Sequence, residues 1–439
     1  MGMADGELTL LHHPTGTNRT RRPDWVVLAV PPSPVEWLYR DLKAAGKTIF
    51  MVLHQRNLLA LAVLATTQGA FAGAELKISD DASVNLGVGL RTSYTSTERG
   101  APNGTSRSSD FNLENIRLYM SGQYGKVIKL TFNTERTGGP AATGGDNVRV
   151  MDAIAQFEFM PEFNVWMGRM LPPSDRANLY GPFFALPWSY PGVASNYPNL
   201  AVGRDNGVMV WGKPFGGKLV YSLGLFEGHN KSAALSGASD KLLFAGRLAL
   251  NILDPEPAPA HYTGGWYGGS KDILTVAVAG MQQQSGVGTV ARPGHLGIWS
   301  TDVLFEKKFA FGVPTLEGAY YKYDLGAVDC GSGEPGAAAC PAGVDNAGGQ
   351  VDGKSYLVGA AFLFNEKVGW GQFQPYLRVQ KFDRSLSRTA NKQMDIGVNY
   401  IIKGPNAKVS LTYTKMEDTR LAVGFTKRDQ IVLGVQLQY

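Results

Sequence analysis

Along most of the chain, apolar and polar residues alternate with a period of two. In the final stretch, DQIVLGVQLQY, residues Ile431, Leu433, Val435, Leu437 and Tyr439 form one row, with Gln430, Gly434, Gln436 and Gln438 in the other. Such alternation predicts a strand with one apolar and one polar face. The pattern recurs near 84–95, 111–123, 126–136, 146–159, 163–170, 205–215, 218–228 and 241–253, and again near 272–284, 296–309, 313–325, 355–365, 371–383, 392–402, 407–417 and 429–439. Clusters of Gly, Pro, Asn, Asp and Ser separate these sixteen segments.

The faces are well segregated. In KLLFAGRLALNIL, Leu242, Phe244, Leu248, Leu250 and Ile252 share a side with Gly246, opposite Arg247 and Asn251. In GQFQPYLRVQKF, Phe373, Leu377 and Val379 oppose Gln374, Tyr376, Arg378 and Gln380. MDIGVNYII sets Met394, Ile396, Val398, Tyr400 and Ile402 against Asp395 and Asn399. The connections alternate in length. YGK, MPEF, FGG, FAFG, NEKVGW and KGPN are short, the intervening links are mostly longer, and 254–271 is a long exception on the short side. Short turns on one rim and long loops on the other predict an up-and-down barrel of the outer-membrane kind.

Composition agrees. Charged residues make up 18% of the 439-residue chain, below the usual quarter or so, yet mean hydropathy is only −0.12. No run of about 20 apolar residues exists to span a membrane as a helix. A transmembrane barrel satisfies both observations; a soluble β-sandwich that buries the apolar row is the alternative. In a closed barrel the last strand pairs with the first, near VNLGVGLRTSYT, so the chain can end in mid-sheet with Tyr439 in an interfacial aromatic girdle.

Upstream, MVLHQRNLLALAVLATTQGAFAGAELK supplies a start at Met51, a basic Arg56, an apolar run from Leu58 to Ala65 and the small-residue pattern Ala70-Phe71-Ala72. These predict a signal peptide over 51–72 and a barrel domain over 73–439. Residues 1–50, rich in Pro and Arg and without periodicity, are expected to be a disordered extension from a misplaced start. Without 1–72, which hold 7 of the 42 basic and 5 of the 37 acidic residues, 35 basic and 32 acidic side chains remain. The resulting net charge of +3 gives no argument for a nucleic-acid partner.

The stretches NLENIRLYMSGQYGKVIKLTFNTE, GRDNGVMVWG, GGSKDILTVAVAG and YLRVQKFD…MDIGVNYII resemble the phosphate-selective porin O and P family, and the likeness covers most of residues 75–439. The resemblance implies a trimeric, sixteen-stranded outer-membrane channel whose third external loop folds inward, and a terminal aromatic residue, here Tyr439, read by the barrel-insertion machinery. The loop in that ordinal position is LPPSDRANLYGPFFALPWSYPGVASNYPNLAVGR, 171–204, the longest connection. Its Pro and aromatic residues suit an ordered constriction; capping from outside, or contact between subunits, is the other reading.

Rings of Arg or Lys lower the energy of an anion in a narrow pore. Candidates for the pore lining are Arg117, Lys129, Arg169, Asp175, Arg176, Arg204, Arg247 and Arg378, with Asp205, Glu135, Glu158, Asp302 and Glu317 as opposing acids. Each Arg is equally suited to a structural ion pair across the lumen. The Arg ladder of the family's phosphate-specific members is not matched residue by residue, and their dense Lys cluster is absent. A weakly selective or anion-preferring pore is therefore expected, with phosphate preference the finer possibility.

Cys330 and Cys340, nine residues apart in a Gly-rich external loop, are expected to form a disulfide after export. His229, His261 and His295 fall in separate connections, without metal-ligand spacing. The sequence thus predicts an all-β, 16-stranded antiparallel transmembrane barrel with an inward-folded third external loop. Its expected role is passive diffusion of small hydrophilic or anionic solutes across the outer membrane, as a lipid-embedded homotrimer with no cofactor, metal site or catalysis. A structural or adhesive barrel with a blocked lumen and partner-binding loops is the alternative.

Overall fold

The computed structural model describes residues 73–137, 147–197, 203–228, 240–288, 293–325, 352–385, 389–419 and 426–439, together with short strands between residues 3 and 53. The chain divides into two units, Met1–Leu64 and Ala65–Tyr439. In the first, β1 (Met3–Ala4), β2 (Glu7–Leu11) and β3 (Asn18–Arg21) form an antiparallel sheet, and β4 (Trp25–Val30) pairs in parallel with β5 (Thr48–Leu53). Residues 54–72, most of the expected leader, and Cys330 and Cys340 lie outside the described residues.

The second unit is a closed antiparallel barrel. Its strands are β6 (Ala74–Lys77), β7 (Ala82–Thr97), β8 (Asp110–Tyr124), β9 (Ile128–Thr137), β10 (Asn147–Met160), β11 (Phe163–Met170), β12 (Asp205–Gly212), β13 (Leu219–Phe226) and β14 (Leu243–Asn251). They continue with β15 (Ile273–Gly288), β16 (Pro293–Glu306), β17 (Gly312–Leu325), β18 (Gly353–Phe364), β19 (Gln372–Arg384), β20 (Ala390–Lys403), β21 (Ala407–Asp418) and β22 (Lys427–Gln438). The sixteen long strands β7–β22 are those the alternation predicts. Short β6 pairs with the start of β7, and β22 pairs with the remainder, from Gly89↔Gln438 to Thr97↔Gln430. Reciprocal bonds between Val88 and Tyr439, at 2.9 and 2.8 Å, complete the seam. Closure leaves the sheet without a free edge, the condition for strands in hydrocarbon.

The outer surface is the apolar row of every strand. Leu248, Leu250, Leu377, Ile396, Leu411, Leu433 and Leu437 are all exposed on it. At the short-turn rim this belt ends in exposed aromatics, among them Tyr124, Phe159, Phe163, Phe215, Phe311, Trp370 and Tyr439. At the long-loop rim Phe111, Trp299, Tyr320 and Tyr356 occupy the corresponding level. An apolar band between two aromatic girdles matches a bilayer and its interfaces. A sandwich would bury this row; here the polar row is buried.

Candidate functional site: a loop-filled lumen

The lumen-facing row is polar and almost wholly covered on one side of the barrel. Ser300, Ser355, Gln374, Gln380, Asn399, Ser410, Thr412 and Gln436 of β16 and β18–β22 are fully buried. The loop between β11 and β12 covers them, folding inward as its position and composition predict. It opens with helix α1 (Arg176–Tyr180), whose N-cap Asp175 accepts from the Asn178 amide. Beyond α1 the backbone follows the wall. Gln436 donates to Phe183 O, Lys408 to Ala185 O, and Asn399 to Leu186 O, all within 2.9 Å. Gln380 accepts from the Val193 and Ala194 amides, Ser355 and Tyr323 donate to Ala194 O, and Tyr197 bonds Ser300. A buried polar group left unpaired costs more than a bond returns, so these contacts fix the loop's position.

Two glycines admit the loop's largest side chains. A Cβ on Gly434 would lie 2.6 Å from the Trp188 ring, and one on Gly89 would lie 2.8 Å from Phe183. Trp188 also stacks under Arg91, whose guanidinium carbon is 4.0 Å from the ring centroid. Arg91, Gln436 and Lys408 are direct cross-strand neighbours on β7, β22 and β21. Together they present a row of donors to the loop's carbonyls.

A second segment enters from the opposite rim. Residues 252–272, between β14 and β15, also pack into the lumen and meet the β11–β12 loop at Arg176. This guanidinium donates to both oxygens of Glu256, at 2.8 and 2.6 Å, to Gly264 O at 3.0 Å and to Asp302 at 3.2 Å. Thr263 donates to Arg176 O, and the Gly265 amide to Phe184 O. Arg247 holds the same Asp302 and Ser174 O, while Tyr321 donates to Asp175 at 2.6 Å. Burial raises the Glu256 carboxyl, but Arg176 outweighs it and holds Glu256 below its usual range. Burial pushes Asp175 up, against the bond from Tyr321. Burial, reinforced by Arg247 and Lys213, drives His261 down to about 3, so this ring packs between Trp166 and Tyr262 as a neutral group.

The wall of β7–β9 is different. Ser83, Asn85, Ser121, Gln123, Lys129, Thr131 and Asn133 face inward and keep part of their surface accessible. Their charged neighbours are paired: Arg117 with Glu135, Lys129 with Glu158, and Arg204 with Asp152. The Arg117 guanidinium lies 5.1 Å from the Phe183 ring centroid, at the edge of the loop.

Of the residues expected at the pore lining, Lys129 lies on this accessible wall, Arg117 is buried in it against Phe183, and Arg204 stands beside it, also buried, at the end of the loop. Arg176 and Arg247 converge on Asp302, Asp175 caps α1 and accepts from Tyr321, and Arg378 is locked to Asp395 at 2.8 Å and to Ser189. Arg169 is a correction. It continues the outward row Phe163, Val165 and Met167, and bonds Asn206 on the outer face instead of the lumen. Tyr439 closes the seam. The residues not anticipated are the loop anchors Arg91, Lys408, Gln436 and Asp395, and Glu256 in the inner segment. Inward parity marked the first four, and the aromatic stretch HYTGGWY marked the segment.

No protein-family model matches the sequence, and no curated protein matches it. Solved structures do. The chain is similar to an anion-selective porin from Comamonas acidovorans at 14% identity and a TM-score of 0.54, over 82% of this chain and all of that one. It is similar to Pseudomonas putida OprB at 9% identity and a TM-score of 0.52, over 81% and 94% of the two chains. The outer-membrane channel DcaP of Acinetobacter baumannii aligns at 13% identity and a TM-score of 0.51, over 83% and 99%. At these identities the likeness is one of fold.

Proposed function

We propose that the barrel is an outer-membrane porin, an uncatalysed channel through which small hydrophilic solutes diffuse. One observation carries this reading: the loop seals the wall of β16 and β18–β22 while leaving the polar face of β7–β9 accessible, and a narrow path along that side is the reading it supports. The path is lined by hydroxyls, amides and neutralised ion pairs, so charge selectivity is weak. A preference for anions is the second reading. It is favoured by Lys129, the more exposed member of its ion pair with Glu158 on the accessible wall. Selectivity for phosphate is a finer form of that reading. Homotrimeric assembly, export through a leader at 51–72 and recognition of Tyr439 during insertion complete the proposal.

The test is conductance of purified protein in a planar bilayer, with reversal potential across a salt gradient and added phosphate. Discrete open channels with a small reversal potential support the porin reading, and block by phosphate supports the finer one. Silence from a folded, heat-modifiable barrel refutes the channel and favours a blocked structural or adhesive barrel.

A further inference from the structure

The segment over 252–272 closes a cavity against the inner wall of β13 and β14, away from the proposed path along β7–β9. The cavity measures about 20 Å³, room for one water-sized particle. Its polar lining is Lys213, Arg247, Asn251, Glu256, His261 and Thr263. Four of these groups are bonded elsewhere. Asn251 donates to Gly217 O and accepts from Thr275, and Thr263 donates to Arg176 O. Arg247 is held by Asp302 and Ser174 O, and both Glu256 oxygens are taken by Arg176.

His261 differs from them. It is 1% exposed, and neither ring nitrogen has a hydrogen-bond partner. A neutral imidazole carries one N–H donor, and a buried donor without an acceptor is costly. Lys213, half-buried in the turn after β12, has a matching deficit. Its ammonium donates to Ala258 O at 2.6 Å and has no salt bridge among the described residues. Burial lowers its pKa, and Glu256, the carboxylate that acts against this, is already engaged by Arg176. Among the charged lining groups and their direct partners, Lys213, Arg247 and Arg176 stand against Glu256 and Asp302: three cations, two carboxylates, and an excess of one positive charge. Asp175 accepts from Tyr321 and does not line the cavity. The excess acts at the ring, where Arg247 and Lys213 both oppose a second proton on His261.

We propose that this cavity binds a single halide ion between the His261 N–H and the Lys213 ammonium, and that the ion fastens 252–272 to the barrel wall. A monatomic anion fits the volume, accepts from both donors and cancels the excess charge. Water would supply the acceptor but not the charge. An oxyanion such as phosphate has five heavy atoms where there is space for one. The half-buried Lys213 gives the ion its way in from the short-turn rim.

The test uses the full folded chain in neutral detergent, held at one ionic strength in sodium chloride, bromide, phosphate or gluconate. With a halide at about ten times its half-saturating concentration, proteolysis within 252–272 is expected to be about tenfold slower than in gluconate. Phosphate is expected to give no protection. Crystals grown in bromide should show an anomalous peak between Lys213 Nζ and the His261 ring. K213M and H261F, each lacking one donor, are expected to lose both the peak and the protection while staying heat-modifiable. Should either variant fail to fold, the wild-type comparison of salts still decides. Equal cleavage in halide and gluconate overturns the proposal and leaves the cavity to water. Protection by phosphate equal to that by chloride overturns the halide as ligand. A bromide peak that survives in both variants is an adventitious ion only and overturns the site. Conductance enters none of these readouts, so a silent barrel would remove the porin reading and leave the ion site standing.

Discussion

Removing the guanidinium of Arg176 should release the constriction without unfolding the barrel. The side chain is 1% exposed and joins a loop from one rim to a segment from the other through Glu256, which is 9% exposed. Arg176→Gln leaves that carboxylate buried with a hydrogen bond from Tyr267 but no cation. Stranding one partner of a buried pair costs about 3–5 kcal/mol. At about 1.4 kcal/mol per factor of ten, the population with the two segments separated rises by more than two powers of ten. The strand ladder is untouched, so the variant should still migrate as a heat-modifiable barrel. In single-channel recordings its conductance should be larger and noisier, and limited proteolysis should cut within 171–204. Arg176→Lys keeps the charge but loses the two-point contact and should fall between. Unchanged conductance together with an uncut loop in Arg176→Gln would show that the junction does not hold the constriction.

Three further outcomes follow from the same geometry. Glu158→Gln deprives Lys129, whose side chain is 34% exposed, of its partner on the accessible wall; an anion about 4 Å away gains about 1 kcal/mol in water, so the permeability ratio should shift about fivefold toward anions in reversal-potential measurements. Gly434→Val places a side chain where Trp188 lies and should cost about 1–3 kcal/mol of loop docking, read as faster proteolysis of 171–204. Gly122→Ala meets nothing closer than 3.9 Å and is the silent control. Because the folded Glu256 carboxyl is lowered from 4.5, its contribution to the junction is complete above that value and is lost as pH falls through the lowered one. Channel noise should therefore increase only in acid, and the acid-dependent change at this junction should be missing from Glu256→Gln.

The strands were legible because a barrel wall has one apolar and one polar face, and a period of two records both. Arg247, Arg378 and Asp395 could be placed inward on parity alone. Parity also held the outward position of Arg169, two residues beyond Met167, but its place beside the constricting loop suggested otherwise. What alternation does not encode is which inward residues meet across the lumen. Arg176 finds Asp302 126 residues away and Glu256 80 residues away, in a connection whose length alone marked it as unusual. Nor did the glycines at 89 and 434 announce themselves, since a missing side chain becomes informative only when Phe183 or Trp188 fills the space.

The most direct test of where solutes pass is accessibility of single cysteines during conduction. Thr131→Cys on β9 and Ser410→Cys on β21 both face the lumen, the first on the accessible wall and the second fully buried beneath the loop. With the wild type, which retains Cys330 and Cys340, as control, a charged thiol reagent should reduce current stepwise through Thr131→Cys and leave Ser410→Cys unchanged. Block at Ser410 with none at Thr131 would contradict the path proposed along β7–β9.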